Sequence, residues 1–139
     1  MEDRYLFKAK RIDNGEWVLG ALFDGESHCI IGQEIKFSPY IEHECKIVGY
    51  EVDRNTICRC TGLRDKNGKL IWENDIVRDE HGNFYKAFWQ NNYYQFSWIC
   101  VKSDVFFIDT KWDFWSFKSF EIEVIGNIFD NKELLESEG

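Results

Sequence analysis

The sequence predicts an all-β protein, and three observations carry that prediction. Tight-turn dipeptides recur along the chain. The stretches between them are short and rich in aromatic and β-branched residues, and helical periodicity is missing until the tail. Short strands at this spacing, with turn chemistry between them, build barrels or sandwiches.

The elements follow in order. Tyr5 to Arg11 reads as a strand and ends at Asp13-Asn14-Gly15. Asn-Gly tolerates the positive φ of a type I′ hairpin turn, so Trp17 to Phe23 is expected to return antiparallel. Phe23-Asp24-Gly25-Glu26 breaks the chain again before the apolar run Cys29-Ile30-Ile31. Residues 32–46 contain the sole proline, Pro39, and mixed charges, which predicts an irregular connection with one strand. Lys46 to Val52 and Thr56 to Thr61 resume the strand pattern. A second Asn-Gly turn, Asn67-Gly68, leads into Leu70-Ile71-Trp72. Ile76-Val77-Arg78 precedes a turn at Glu80-His81-Gly82-Asn83, and Asn91-Asn92 separates Phe84–Gln90 from Tyr93–Val101. Val105–Ile108 and Phe120–Ile128 complete the predicted strands. Asp130 with Glu133 three residues on has the form of a capping box, which predicts a short terminal helix. Glu136 to Gly139 is expected to fray.

Composition narrows the class. The 139 residues are 44% apolar and include 6 Trp, 6 Tyr and 12 Phe, too much apolar surface for a disordered chain. Charges interrupt every apolar run before it could span a membrane, and no basic segment with a following apolar stretch opens the chain. A cytoplasmic protein with no membrane association is the expectation. Lys and Arg total 17 against 25 Asp and Glu, a formal charge of −8. Residues 1–60 carry 8 basic and 11 acidic side chains and residues 61–139 carry 9 and 14, so neither half supplies a basic face. That balance argues against nucleic acid as a partner, because phosphate binding draws its affinity from Lys and Arg.

Cys29, Cys45, Cys58, Cys60 and Cys100 make an odd count, which favours reduced thiols over a disulfide framework. Cys58-x-Cys60 with His43-x-Cys45 offers four soft donors, but the spacing departs from the Cys-x₂₋₄-Cys of zinc knuckles. No metal or other cofactor is expected.

A catalytic reading finds little to build on. His28, His43 and His81 sit in turn-like or polar surroundings and share no motif. His28 and Cys29 are adjacent, so in a strand they point to opposite faces. Glu73 and Asp75 flank Asn74, where acids more often cap backbone N–H groups than transfer protons. Gly62, Gly68 and Gly82 each mark a separate turn and form no phosphate loop. The protein is therefore expected not to be an enzyme.

The aromatic residues point elsewhere. Fifteen fall between Phe84 and Phe120. If Lys111 to Phe117 is extended, Trp112 and Phe114 lie on one side and Trp115 and Phe117 on the other. A two-sided aromatic segment suggests an interface, and these four residues are the candidate interaction surface. Packing of the rings within the chain is the favoured reading, ahead of an interface that joins two copies of it. Base stacking would need a positive groove, and the flanking Asp104, Asp109 and Asp113 cancel Lys102, Lys111 and Lys118.

The most specific stretch is Thr61-Gly62-Leu63-Arg64-Asp65-Lys66-Asn67-Gly68-Lys69-Leu70-Ile71-Trp72-Glu73-Asn74-Asp75-Ile76-Val77. It resembles the signature of the YopX family of phage and prophage proteins, T-G-L-x-D-K-N-G-K-x-I-[YW]-E-G-D-I-V. Glu123-Val124-Ile125-Gly126-Asn127-Ile128-Phe129-Asp130-Asn131 resembles that family's E-V-I-G-N-I-[YF]-[ED]-N block. Phe7 to Val18 resembles its N-termini. Asn74 stands where the family has Gly, which predicts a positive φ there. Lys132 replaces a Pro that is favoured at a helix start but dispensable.

The resemblance implies an SH3-like small barrel over residues 61–139 and a less regular, β-rich subdomain over residues 1–60, and the thin apolar content of that subdomain predicts that it leans on the barrel. It carries no catalytic residues across. The function expected from it is a non-enzymatic protein-interaction module of phage or prophage origin, acting in the host cytoplasm through a protein partner or self-association. A nucleic-acid-associated small barrel is the alternative, and a hydrolase the third reading.

Overall fold

The computed structural model describes residues 5–36 and 45–135. The chain divides into two compact units, Met1–Arg59 and Cys60–Gly139. Among the described residues the regular elements are strands and short 3-10 turns. The all-β class is therefore established.

In the N-terminal unit, β1 (Phe7–Lys10), β2 (Trp17–Asp24), β3 (Cys29–Lys36) and β4 (Cys45–Glu51) pair antiparallel in the order β4-β3-β2-β1. The Asn14-Gly15 turn forms as its chemistry requires: Gly15 has φ +72° and its N–H donates to the Arg11 carbonyl. Ala9, Val18, Cys29, Ile31 and Val52 make the core, flanked by Phe7, Leu22, Tyr50 and Ile57. Of the expected irregular stretch 32–46, residues 32–36 complete β3 and Cys45-Lys46 open β4. Pro39 and His43 lie outside the described residues, as does the terminal Glu136–Gly139.

Strand β5 (Cys58–Arg64) begins in this unit, with Arg59 and Cys58 opposite Phe7 and Lys8. Its later residues belong to the C-terminal unit, where Cys60 and Arg64 face Trp72 and Leu70 of β6 (Leu70–Trp72). Strands β7 (Asp75–Arg78), β8 (Phe84–Gln90), β9 (Gln95–Lys102), β10 (Lys111–Asp113) and β11 (Glu123–Asn127) form a five-stranded sheet ordered β10-β9-β8-β7-β11. The core is aromatic: Ile71, Val77, Tyr85, Ala87, Trp98, Cys100 and Ile122 are buried, with Leu63, Trp112, Phe114, Phe117 and Val124 packed against them.

This sheet is open, so the expected closed SH3-like barrel is not what these strands form. β10 is only three residues long and gives way at once to a 3-10 turn, Phe114–Ser116, followed by another, Ser119–Glu121. Backbone in 3-10 turns cannot extend a ladder. The chain crosses from one sheet edge to the other in this irregular form, and Trp112, Phe114 and Phe117 pack against the core on the way. Val105–Ile108, expected as a strand, lies in the loop between β9 and β10.

The signature residues build turns. Asp65 Oδ1 accepts from the N–H groups of Asn67 (2.9 Å) and Lys69 (2.8 Å), while its Oδ2 accepts from Val124 N–H at 2.9 Å. One buried carboxylate thus ties the hairpin turn to β11. Asn74 has φ +72°, as the Gly-to-Asn exchange predicts, and Asp75 Oδ2 caps the Trp72 N–H at 2.9 Å. At Gly126 a Cβ would lie 2.6 Å from Asn131 Cγ, because the Asn131 side chain folds back to accept from the Asn127 N–H. The expected terminal helix is a single 3-10 turn, Lys132–Leu135. The Asp130 carboxylate accepts from the Asn127 side-chain amide at 3.2 Å.

Candidate interaction site

The turn between β7 and β8 has the same construction as the Asp65 turn. Asp79 Oδ1 accepts from the N–H groups of His81 and Asn83, both at 2.9 Å. The Asp79 N–H reaches the Asn83 carbonyl, and Gly82 takes φ +82°. The second oxygen differs in use. Asp79 Oδ2 accepts from Asn83 Nδ2 at 2.9 Å and from the Tyr85 hydroxyl at 2.8 Å. Burial works against the ionised Asp79 carboxylate, but these bonds outweigh it and hold its pKa below the ordinary value. Burial, and then the bond to Asp79, push the Tyr85 phenol far up, so it stays protonated.

From this turn a hydrogen-bonded chain runs outward. Asn83 Oδ1 accepts from Ser103 Oγ at 2.6 Å, and Ser103 Oγ in turn accepts from the N–H groups of Val105 (3.0 Å) and Phe106 (2.9 Å). The loop that follows is pinned at its far end, where the Asp109 N–H donates to the Cys100 carbonyl and the Cys100 N–H to the Thr110 carbonyl. Between these anchors Val105 is 76% exposed and Phe107 88%. Side chains this apolar are held in water by a rigid backbone frame.

The opposite wall is the aromatic segment. Trp112 sits on β10 opposite Trp98. The 3-10 turn then breaks the two-residue alternation, so Trp112, Phe114 and Phe117 all turn to the core and only Trp115 remains out, 73% exposed. Phe114 stacks on Trp98 with centroids 4.4 Å apart, and the Trp98 indole donates to the Phe114 carbonyl at 3.0 Å. Tyr85 meets Trp112 edge-on at 5.3 Å and Phe117 at 4.6 Å, while Phe106 meets Trp112 edge-on at 5.1 Å.

Between these walls lies a cleft of about 500 Å³. Phe106, Trp112, Phe117 and Phe120 give its apolar sides, and Asp79, Glu80 and Glu121 bring carboxylates to it. A cleft of this size is in the range that takes small ligands or a side chain with its neighbours. Of the four aromatic residues singled out in the sequence, Trp112 and Phe117 line it, Phe114 buttresses Trp98 beneath, and Trp115 stands apart.

Asp79, Ser103, Phe106 and Phe120 were not legible as site residues. Asp79 carried a usable signal: Asp79-Glu80-His81-Gly82-Asn83 repeats the Asp-x-x-Gly-x pattern of Asp65 to Lys69.

The thiols lie in both cores. Cys29, Cys58, Cys60 and Cys100 are buried, and desolvation raises the pKa of Cys29 and Cys100. Among the described residues no group of three His, Cys, Asp or Glu could hold a metal ion. His81 lies at the cleft, and exposed His28 meets Glu51 at 3.2 Å. Among the described residues no helix is long and apolar enough to cross a membrane.

A family model described as YopX protein matches residues 6–136 of the 139. The chain belongs to the YopX family. No curated protein matches it. In this YopX family member the signature ends at Val77 and the terminal block begins at Glu123, and the cleft is built from the residues between them. The two blocks are joined by Asp65 to Val124 and by Lys66 Nζ to Glu123 at 3.5 Å, and the Lys66 N–H also donates to the carbonyl of Ile122, just before the second block.

Proposed function

We propose that this YopX family member is a non-enzymatic protein-interaction module of phage or prophage origin, acting in the host cell, and that a partner docks at the aromatic cleft. The observation that carries this reading is the rim: Val105, Phe106, Phe107 and Phe120 are exposed around a hydrogen-bonded frame. Apolar side chains on a hydrogen-bonded loop favour association, because covering them releases hydrating water and the loop backbone is already held in place. The polar groups at the floor favour a structural role over catalysis. Asp79 already accepts from four donors and Tyr85 is committed to it, which leaves neither free to exchange a proton.

Site-specific photo-crosslinking tests the reading. With p-benzoylphenylalanine at Phe107, irradiation of producing cells is expected to give a discrete protein adduct that weakens when Phe106 and Phe120 become Ser. The same probe at Tyr94, exposed on the β8–β9 turn, is expected to give none. An adduct of twice the chain mass would mean self-association. Adducts with nucleic acid alone, or none at Phe107, would overturn the proposal.

A further inference from the structure

We infer that the occupant of the cleft is an arginine side chain from a basic segment of a partner protein; this rests on the cleft being a protein-docking site. Three observations converge. The rings of Phe106, Trp112, Phe117 and Phe120 line the cleft, and aromatic faces attract cations through their quadrupole. Three carboxylates, Asp79, Glu80 and Glu121, line the same space, and among the described residues no Lys or Arg lines it with them. The four donors to Asp79 are all neutral groups, so they fix the anion in place without cancelling its charge. The chain itself shows the pairing at the rim, where the Lys118 ammonium lies 5.9 Å from the Phe120 ring centroid.

Other occupants fit less well. A purely apolar side chain would strip water from the Glu80 and Glu121 carboxylates and return nothing to them. A lysine ammonium is a compact and strongly hydrated charge, whereas a guanidinium is flat, more weakly hydrated, stacks on rings and donates to two carboxylates at once. A second copy of this chain meets the repulsion of a formal charge of −8 on each partner. The cleft, at about 500 Å³, leaves room beside the guanidinium for an apolar neighbour against Phe106.

The probes are blocked pentapeptides, Ac-Gly-Leu-Arg-Leu-Gly-NH₂ and the same peptide with citrulline, which keeps the shape of arginine without its charge. The readout is the Trp112 indole N–H in a two-dimensional NMR titration, assigned by its loss in Trp112→Phe. The arginine peptide is expected to shift this resonance and to bind about tenfold tighter than the citrulline peptide, with the difference shrinking as salt rises. Glu80→Gln with Glu121→Gln is expected to narrow the gap between the two peptides, leaving the part that the rings and Asp79 supply. Gln at 121 still offers an acceptor to the Lys118 N–H, and an unchanged melting temperature confirms that the fold is intact. Equal binding of both peptides to the unaltered protein would overturn the arginine assignment while leaving the docking reading standing. If neither peptide shifts Trp112 but crosslinks form at Phe107, the assignment fails alone. If crosslinks are missing as well, both readings fail.

Discussion

Among the described residues, Ile31 is the largest side chain fully buried in the N-terminal unit, whereas the C-terminal unit encloses Trp98 and Tyr85. Both units are antiparallel sheet, yet among the described residues the buried cluster of the first is aliphatic and thiol, with Phe7 and Tyr50 only partly buried against it, while that of the second is built on interlocked rings. Large rings bring polar tips inside, and each tip needs a partner. The Trp98 indole takes the Phe114 carbonyl, and the Tyr85 hydroxyl takes Asp79. The same two bonds fix the backbone and the carboxylate from which the cleft is made. An aromatic core therefore creates a site as a by-product of satisfying its own polar groups, and an aliphatic core has no such need.

The largest disturbance to this contrast is expected from Trp98→Ala, at about 3–5 kcal/mol, against about 2–4 kcal/mol for Ile31→Ala. Urea unfolding checks both. Trp17 is the single tryptophan of the N-terminal unit, so a Trp17→Phe background reports the C-terminal unit alone.

Next come the twin turns. Asp65→Ala leaves three backbone N–H groups without their acceptor, for a loss of about 2–3 kcal/mol. Asp79→Ala is expected to cost a similar amount and also to free the loop over 103–109. Faster proteolysis at Phe106 or Phe107 in this variant, with no matching change in Asp65→Ala, would separate the two roles.

A smaller, pH-dependent effect follows from the buried acids that stay protonated. Tyr85 and Cys100 in the C-terminal unit, and Cys29 in the N-terminal unit, all have pKa values raised first by burial. A raised folded-state pKa means that the unfolded chain releases its proton earlier as pH climbs. The stabilisation is complete below the unfolded values, about 8.5 for thiol and 10 for phenol, and is lost as pH rises above them. Urea midpoints measured from pH 8 to 11 should fall, and Tyr85→Phe should flatten the upper part of that fall.

The smallest change is at Asn74, in the left-handed region. Asn74→Ala is expected to cost about 1 kcal/mol and Asn74→Gly to stay within about 0.5 kcal/mol of the parent, read as melting temperatures.

Legibility in the sequence followed the range of the forces involved. Turns at Asn14-Gly15, Asn67-Gly68 and Asn74 are decided by local backbone sterics, and each stands where its residues put it. The Lys111–Phe117 segment was misread because alternation presumes an extended chain, and one 3-10 turn sent Phe117 to the same side as Trp112. Val105–Ile108 has strand composition, but Ser103 captures its backbone N–H groups first. The open sheet was hidden because β7 pairs with β11, a partner more than forty residues away that no local signal names. The cleft depends on that same distant pairing, since Phe120 and Glu121 arrive with it.

The tie from Asp65 to Val124 has a consequence for synthesis of the chain. On a ribosome, β7 and β8 emerge and can pair while β11 has still to be made, and until then one edge of β7 and one oxygen of a buried carboxylate wait unfilled. Only when Glu123–Asn127 clears the exit tunnel is the frame around the cleft completed. A message cut short before that block yields a chain with an open strand edge and an incomplete cleft, so a finished cleft certifies that translation ran past it.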